Sequence, residues 1–481
     1  MKFLTWASLA SLAVATKTAP SSLDINNHKS IKDVAGTLAF DSMSYYSGNT
    51  SSVPKDLGDL QDPYYWWVAG ALWGVMLDYY HLTGDYTYND EIIKALLNPT
   101  NLGAGHDYMP AEHSDEEGND DLFFWGSAVL TAAERNFPQP NKNLPSWLDI
   151  TINVFNQLVS RWDTKACGGG LYWQILESNF HGMTYKNSVS NGGFFQLAAR
   201  LARITGEQKY LDWANKIWDW SWQIKLVNNE SYRVYDGASV TDQCQKVTPH
   251  AFSYTQGIYL YGAAVLANHT KKPEWIDRSQ KLLAGTDLYF TQMSNSTNVM
   301  YESACETVMT CNADMSTFKG YLSRFMYLSI QMQPALKEQV HSRMIPTVKA
   351  AVQTCVGGKT GRECGQRWWV PGYDGNTGLG QQMCALEAVQ GLLLNESPAP
   401  LKGKDVKVIR STDWAAMDRD KASIKSTPTS TSPGPTGTQT TGTTDSPAQP
   451  SKSKDAASLS RADLVLTSFS VGSLLLFLGL V

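Results

Sequence analysis

Six apolar segments with the periodicity of an α-helix recur along this chain, roughly 60–70 residues apart. Each contains small residues, as at Gly126-Ser127-Ala128 and Gly262-Ala263-Ala264, which let neighbouring helices pack closely. A repeat of this length is typical of a chain built from copies of one helical unit. The segments begin near Pro63, Asp120, Asn191, Thr255, Lys319 and Leu379.

Amphipathic helical segments lie between the apolar ones, with charged side chains on one face, as expected of helices that face solvent. They cover about residues 25–46, 89–97, 146–161, 208–223, 274–290 and 335–355. Six inner and six outer helices in strict alternation predict an all-α fold, an (α/α)6 barrel that forms a single domain over residues 23–400. Strand signals are sparse, and we expect only small hairpins, within residues 167–174 and 233–243.

The two ends of the chain predict its compartment. Residues 1–15 have the basic start, apolar run and small-residue cleavage site of a signal peptide, and an N-terminal extension follows over 16–22. After a post-domain segment at 401–425, the Ser/Thr/Pro-rich residues 426–454 predict a disordered, O-glycosylated stalk, because they bury too little apolar surface to fold.

Residues 455–481 combine small residues, a polar spacer and an apolar run, which is the order of a removed GPI-anchor signal. The predicted attachment residue is Asp455 or Ala456. The alternative is a true C-terminal membrane span. We therefore expect a secreted protein that is GPI-anchored at the outer face of the plasma membrane or in the cell wall.

Seven cysteines suit an oxidising compartment. We expect the short-loop disulfides Cys305–Cys311 and Cys355–Cys364, and a free, buried thiol at Cys384. Sequons predict N-glycosylation at Asn49, Asn229, Asn268, Asn295 and Asn395. The formal net charge is −5, and without a basic run or metal-ligand spacing we expect no nucleic acid, metal or other cofactor. The protein is expected to be a monomer.

The alternation of helices brings the N-termini of all inner helices to one mouth of the barrel. The residues there are aromatic, polar or glycine, as at 64–67 and 254–257. A cleft for sugars needs flat rings to stack on pyranose faces and polar groups to bind hydroxyls. The sequence therefore predicts a sugar-binding cleft at this mouth.

Asp120 and Asp121 are adjacent carboxylates at the start of the second inner helix, where Asn119 or Asp120 is expected to be the N-cap. Two like charges a few ångströms apart resist double ionisation, so one carboxylate should stay ionised while the other keeps its proton. This division suits retaining cleavage of a glycosidic bond, which needs carboxyl groups about 5–5.5 Å apart. The alternative is that the pair only caps the helix. The acidic run before it, residues 115–117, is expected to be a solvated loop.

Nine further residues are candidate substrate contacts, because they lie near the starts of inner helices or in loops at the same mouth. They are Trp125, Tyr172, Trp173, Asn191, Gln256, Lys319, Trp369, Tyr373 and Asp374. The alternative for Trp125 is core packing, and for Asn191 and Gln256 it is helix capping. For Lys319 the alternative is a surface lysine, and for the last three residues it is ordinary loop packing.

Four sequence strings together resemble glycoside hydrolase family 76, the endo-α-1,6-mannanases: GNDDLFFW at 118–125, CGGGLYW at 167–173, SNGGFFQLAAR at 190–200 and YTQG at 254–257. The resemblance covers about residues 23–400 and implies an (α/α)6 barrel that requires no metal. It implies that Asp120 is the nucleophile and Asp121 the general acid/base. The signal peptide, stalk and GPI signal are similar to the fungal branch of that family, the mannan endo-1,6-α-mannosidases of the cell wall.

The resemblance implies a retaining glycosidase that acts on α-1,6-linked mannose. For the fungal branch it implies that α-1,6-mannan or a GPI glycan is the donor, and that the cleaved glycan is transferred to wall glucan as the acceptor. Two alternatives stay open: hydrolysis of mannan without transfer, and a mannan-binding wall protein without catalysis.

Overall fold

The computed structural model describes residues 17–176, 178, 182–293 and 296–417. The predicted signal peptide, stalk and GPI signal, and the sequon at Asn295, lie outside these residues. Within the described ranges, none of the helices combines the length and apolar character that a bilayer crossing requires.

Six inner helices form a closed ring, because each contacts the next and the last contacts the first. They are α2 (Trp66–Thr83), α5 (Asn119–Glu134), α7 (Ser188–Thr205), α9 (Ser253–Thr270), α11 (Phe318–Met332) and α13 (Leu379–Gln390). All begin within a few residues of the predicted starts. The ring confirms the predicted barrel.

Outer helices alternate with the inner ones along the chain and surround the ring. They are α1 (His28–Met43), α3 (Asn89–Leu97), α6 (Trp147–Ser160), α8 (Gln208–Gln223), α10 (Pro273–Gly285) and α12 (Lys337–Gln353), with a short additional helix α4 (Pro99–Leu102). The helix predicted over 274–290 ends early, at Gly285. A turn then leads into strand β4 (Phe290–Met293), which pairs with β5 (Ser296–Met300) and buries Phe290 and Met300.

Glycines in the inner helices allow a close approach between helices. A Cβ on Gly257 of α9 would lie 3.1 Å from the Cα of Leu322 in α11. A Cβ on Gly320 of α11 would lie 3.2 Å from the Cα of Cys384 in α13. The small residues of the repeat are therefore required where helix backbones meet.

A small antiparallel sheet lies beside the mouth of the barrel and contains β1 (Tyr185–Asn187), β2 (Gly237–Ser239) and β3 (Val247–Thr248). The predicted strand segment 233–243 contributes β2. The hairpin predicted within 167–174 is absent, because residues 167–170 all have positive φ, which a strand does not adopt.

Both predicted disulfides, Cys305–Cys311 and Cys355–Cys364, are present, and Cys384 is a free, buried thiol. A third disulfide joins Cys167 to Cys244, 77 positions apart in the chain. It links the glycine-rich loop before β1 to the loop between β2 and β3.

Residues after 400 pack against the end of the barrel opposite to the mouth. Leu401 N–H donates to Glu134 O at the C-terminus of α5 at 2.8 Å. The Trp414 ring contacts Phe137 and Tyr80, and its indole N–H donates to Asp90. This part of the predicted post-domain segment is therefore packed on the barrel.

The described sequons differ in their surroundings. Asn49, Asn229 and Asn395 are exposed. Asn268 lies in α9 and is only half-buried, but its Nδ2 donates to Met332 O at 2.9 Å and its Oδ1 accepts from Arg203. A glycan on Asn268 requires these contacts to open. N-glycosylation at the four positions stays a prediction.

Candidate active site

The acid pair lies in the first turn of α5. The helix begins at Asn119 with Gly118 as its N-cap, so the prediction that Asn119 or Asp120 is the N-cap is wrong. Asp121 reaches back to accept a hydrogen bond from Gly118 N–H at 2.8 Å, which satisfies a free donor of the first turn. Asp120 Oδ1 accepts from Asp121 N–H at 3.2 Å.

The two carboxyl groups differ in acidity. Burial raises the pKa of Asp120 to about 6, although hydrogen bonds from the Asn187 amide and from Asp121 N–H lower it. Burial also raises the pKa of Asp121 well above its usual value, and the charge of Asp120 raises it further. The proton therefore stays on Asp121, and Asp120 is the carboxylate that ionises first.

Asn187 at the end of β1 contacts the acid pair directly. Its Nδ2 donates to Asp120 Oδ2 at 3.2 Å, and its Oδ1 accepts from Ser190 N–H at 3.1 Å as the N-cap of α7. The start of the third inner helix, α7, thus supplies a donor to the acid pair at the start of the second, α5. Asn187 is not among the residues predicted from sequence, and the signal that could have identified it is an Asn placed directly before an inner helix.

The backbone at Tyr172 and Trp173 forms the wall of the mouth next to the acid pair. Asn119 N–H donates to Trp173 O and its Nδ2 donates to Tyr172 O, both at 2.9 Å. Trp173 N–H donates to Tyr185 O of β1 at 2.8 Å. Residues 172–173 are therefore held between α5 and β1, with the Trp173 side chain exposed and Tyr172 half-buried.

A buried lysine holds the loop that leads into this wall. Lys186 of β1 donates to Asp163 Oδ2 at 2.8 Å, to Ala166 O at 2.9 Å and to Gly169 O at 2.6 Å. The Lys186 ammonium and the Cys167–Cys244 disulfide replace the strand pairing that the loop lacks. The same strand thus positions the wall through Lys186 and the nucleophile through Asn187.

Aromatic rings cover the floor of the mouth. Trp67 packs on Phe124, one helical turn after Asp120, with ring centroids 4.4 Å apart. Tyr254 and Phe318, from the starts of α9 and α11, stack at 3.8 Å. Such flat faces suit pyranose rings, and the floor confirms the aromatic character predicted for the mouth.

Two further carboxyl groups border this floor. Asp236 accepts from Tyr185 OH at 2.7 Å, and Asp314 accepts from Trp67 Nε1 at 3.1 Å. Burial raises the pKa of both, to about 6 for Asp314. Burial raises the pKa of Tyr254 well above its usual value, and the nearby charges of Asp236, Asp120 and Asp314 raise it further. Neither carboxyl group is among the residues predicted from sequence, because both lie in loops without periodicity.

Three predicted substrate contacts are not in the cleft. Trp125 is fully buried and stacks between Trp66 and Tyr108, so it is a core residue. The Asn191 side chain bonds the backbone of Leu171 and Asn187. Gln256 is buried in the same manner, and its partners are Val234 N–H, Tyr232 O and Leu282 O.

Lys319 is buried rather than on the surface. It forms an ion pair of 2.7 Å with Glu306 and lies over the Trp368 ring, 3.9 Å from its centroid. Trp369 Nε1 donates to Glu306 at 3.0 Å. The charge of Lys319 is therefore compensated inside the protein. Trp369 stays a candidate contact, because it is only half-buried.

Asp374 closes its own loop. Its carboxylate accepts from Gln366 N–H, Arg367 N–H and Asn376 N–H, and from Arg367 Nε. These bonds lower the pKa of Asp374 although burial opposes them. Tyr373 is half-buried beside it. The hydrogen bonds give Asp374 a structural role, and Tyr373 stays a candidate contact.

The acidic run before the motif is only partly solvated, contrary to expectation. Glu117 is buried, which raises its pKa to about 8. Arg161 is the charged group that opposes this rise, and its Nε donates to Asn119 Oδ1 at 2.7 Å. The segment thus supports the start of α5 from behind.

Comparison with known proteins gives one consistent family. The profile described as "Glycosyl hydrolase family 76" matches residues 30–404. Mannan endo-1,6-alpha-mannosidase DCW1 of Saccharomyces cerevisiae is 43% identical over 79% of this chain and 82% of its own length. DFG5 of the same yeast, another mannan endo-1,6-alpha-mannosidase, is 40% identical over 79% and 81%.

Solved structures agree with this result. The crystal structure of Dfg5 from Chaetomium thermophilum in complex with glucosamine has a TM-score of 0.76 at 36% identity, and covers 84% of this chain and 100% of that one. An inactive variant of the α-1,6-mannanase from Salegentibacter sp. HEL1_6 in complex with α-1,6-mannotriose shares the fold, with a TM-score of 0.59 at 19% identity over 76% and 99%. On the profile match and these close relatives, the chain belongs to glycosyl hydrolase family 76.

Proposed function

We propose that this chain is a retaining endo-α-1,6-mannosidase in which Asp120 is the nucleophile and Asp121 the general acid/base. The observation that carries the proposal is the asymmetry of the pair: Asp121 keeps the proton, while Asn187 stabilises the ionised form of Asp120. The relatives named as mannan endo-1,6-alpha-mannosidases support the substrate class, and so does the mannotriose bound to the structural neighbour.

In the first step the Asp120 carboxylate attacks the anomeric carbon of a mannose residue. The bond from that carbon to the O6 oxygen of the next sugar breaks, and the oxygen takes the proton from Asp121. The products are a mannosyl ester on Asp120 and a sugar with a free 6-hydroxyl. In the second step Asp121, now ionised, takes a proton from the incoming hydroxyl, which displaces Asp120. Two inversions give net retention.

The floor and wall of the mouth provide for binding of the chain of sugars. Trp67 and Tyr254 offer apolar faces, and Trp173 projects from the wall beside the acid pair. Stacking on such rings fixes the plane of a pyranose and leaves its hydroxyls to polar groups. These rings support an oligosaccharide rather than a single sugar as the ligand.

The acceptor is the finer part of the proposal. We infer that the donor is α-1,6-mannan or the mannose-containing glycan of a GPI anchor, and that a wall glucan hydroxyl replaces water in the second step. The predicted signal peptide and GPI signal support a protein anchored at the plasma membrane or wall, next to both glycans. Hydrolysis of mannan is the second candidate, because it uses the same first step.

The test incubates the purified protein with an α-1,6-mannooligosaccharide, with and without a β-glucan oligosaccharide. Products are identified by mass spectrometry, and the anomer formed first is identified by NMR. Asp120→Asn and Asp121→Asn run in parallel. The control is Asp277→Asn, which removes a carboxylate from an exposed ion pair on α10.

Mixed mannose–glucan products that require both acids would support the transferase. Free mannooligosaccharides alone, with the α-anomer first, would support the hydrolase and contradict transfer. Binding of mannan without turnover, unchanged in both acid variants, would contradict catalysis and support a mannan-binding wall protein.

A further inference from the structure

Asp314 lies at the same mouth as the acid pair, in the loop before α11. Its Oδ1 accepts from Trp67 Nε1 at 3.1 Å. The Trp67 ring packs on Phe124 with centroids 4.4 Å apart, and Phe124 is on the face of α5 that carries Asp120, four residues earlier. One aromatic contact thus connects Asp314 to the helix of the nucleophile.

A second ring contact involves the helix that follows Asp314. Tyr254 stacks on Phe318, four residues after Asp314, with ring centroids 3.8 Å apart. The charges of Asp120 and Asp314 both raise the pKa of Tyr254, in agreement with a position of Tyr254 near both carboxyl groups. Asp120 and Asp314 therefore border the same aromatic floor, one from α5 and one from the start of α11.

Only one oxygen of the Asp314 carboxylate takes part in a hydrogen bond within the described part of the chain. Although it stands before the helical turn 315–317, its side chain forms no capping hydrogen bond. Among the described residues, no cation pairs with it and its Oδ2 has no hydrogen-bond partner. Asp374 and Glu306, in contrast, have carboxylates bound by backbone N–H groups or by Lys319.

The Asp314 carboxylate is only half-buried, and its Oδ2 keeps some exposure to solvent, so water can bond it in the free protein. A ligand hydroxyl can replace that water and form a hydrogen bond to the carboxylate. Trp67 holds the other oxygen and leaves Oδ2 available. An acceptor oxygen beside an aromatic floor suits a hydroxyl of a stacked pyranose.

We propose that Asp314 binds substrate, with its Oδ2 accepting a hydrogen bond from a hydroxyl of a mannose residue that lies on the Trp67–Tyr254 floor. Trp67 orients the carboxylate through Oδ1. Asp314 is thus a specificity residue that takes no part in bond breaking. This assignment rests on the proposed function, because it takes α-1,6-linked mannose as the ligand.

The test measures binding of α-1,6-mannotriose by calorimetry to the full chain with Asp120→Asn and Asp121→Asn, which prevents turnover. Asp314→Asn is then added, which keeps the shape of the side chain and removes its charge. Hydrogen bonds to a charged group predict a loss of affinity of roughly 10- to 100-fold. Asp277→Asn on the outer helix α10 is the matched control, with affinity unchanged.

Trp67→Phe separates a ligand contact from a structural one. It removes the hydrogen bond to Asp314 and keeps an aromatic ring in the floor. Because Trp67 is itself part of the floor, the comparison is the loss caused by Asp314→Asn with and without Trp67→Phe. If Asp314 binds sugar, Asp314→Asn lowers the affinity in the Trp67→Phe chain as well. No further loss there would show that Asp314 acts only through Trp67, which would overturn the assignment.

Two other outcomes also decide. If the chain with Asp120→Asn and Asp121→Asn binds mannotriose and Asp314→Asn leaves that affinity unchanged, the assignment of Asp314 is overturned and the proposed function stands. No binding of mannotriose by the chain with Asp120→Asn and Asp121→Asn alone, at a melting temperature no lower than that of the unsubstituted chain, would overturn the proposed substrate and the role of Asp314 together.

Discussion

The amide of Asn187 donates a hydrogen bond of 3.2 Å to Asp120, 67 positions earlier in the chain. The same side chain is the N-cap of α7. One residue therefore fixes the start of an inner helix and stabilises the negative charge of the proposed nucleophile. The two tasks use different atoms, so they can be separated by substitution.

Asn187→Ser should keep the cap and lose the contact with Asp120, because serine is a good N-cap residue but is too short to reach the carboxylate. We expect kcat/KM on α-1,6-mannooligosaccharides to fall at least about tenfold, with a stability change of roughly 0.5 kcal/mol or less. Asn187→Ala should lose both, with an added cost of about 1 kcal/mol. Full activity in Asn187→Ser would contradict a role at Asp120.

The pH dependence of the rate should follow the two carboxyl groups. The reactive form has Asp120 ionised and Asp121 protonated, so kcat/KM should rise as pH increases through about 6, where Asp120 loses its proton. At higher pH kcat/KM should fall, because Asp121 then loses the proton that it must donate. This loss occurs well above the usual pH range of an aspartate, since the pKa of Asp121 is strongly raised. Initial rates across pH 4–9 measure this bell. A rate that increases continuously toward pH 4 would contradict the assignment of Asp120.

The same pKa shifts predict how stability depends on pH. Because burial raises both pKa values in the folded protein, the pair favours folding at low pH, where both acids are protonated, and loses this contribution as pH rises through the folded values. The Asp120→Asn/Asp121→Asn variant lacks this loss. The melting temperature of this variant should therefore equal that of the unsubstituted chain near pH 4 and exceed it by a few degrees at pH 8. A constant difference, as expected for the exposed control Asp277→Asn, would contradict the raised values.

The repeat and the acid pair were predictable because both depend on local sequence. Helical periodicity over fifteen or so residues is a strong signal, and Asp120 and Asp121 are neighbours in one motif. Trp125, Asn191 and Gln256 were assigned to the cleft in error. An inner helix of a barrel is enclosed on all sides, so spacing cannot distinguish a first-turn residue that faces the mouth from one that faces a neighbouring helix.

The loop residues of the cleft could be identified only from the three-dimensional structure. Asn187, Asp236 and Asp314 have no periodic pattern, and they join the cleft only through pairing of β1 with β2 and through the Trp67 contact. The Cys167–Cys244 disulfide closes a separation of 77 positions, whereas the two predicted disulfides are short loops. Sequence spacing gives no reason to choose this long-range pair.

Lys186→Met should loosen the wall that carries Trp173. The Lys186 ammonium is completely buried, and it holds the pKa of Asp163 at about 2 although burial opposes this. Removing one partner of a fully buried ion pair costs about 3–5 kcal/mol. The cost here should be lower, because Asp163 is partly exposed and keeps the hydrogen bonds from two backbone N–H groups. We expect KM to rise about tenfold with a smaller change in kcat. Denaturant unfolding and steady-state kinetics measure both.

Two comparisons test whether the lost ion pair between Lys186 and Asp163 is the cause of the lower stability. Adding Asp163→Asn to Lys186→Met should recover part of the stability, since no unpaired charge remains. Lys281→Met removes the exposed partner of Asp277 and should leave stability nearly unchanged, because exposed ion pairs are screened by solvent. If Lys186→Met left KM unchanged while destabilising the protein, the wall would not depend on this lysine.

Gly118→Ala should disable the acid pair without straining the backbone. Gly118 has φ of −113°, which alanine adopts freely. A Cβ at this position, however, would overlap Asp120 Oδ1 and lie 2.8 Å from Asp121 Oδ2, so both carboxyl groups must move. Because a misplacement of about 1 Å can cost roughly 100-fold in rate, we expect kcat to fall by about that factor while the melting temperature changes by a few degrees at most.

Gly36→Ala in the outer helix α1, where a Cβ would lie 3.2 Å from the Tyr79 hydroxyl, is the control and should leave kcat unchanged. Equal kcat in the two alanine variants would mean that the carboxyl groups tolerate displacement, which a nucleophile and an acid that must reach the same glycosidic bond cannot do.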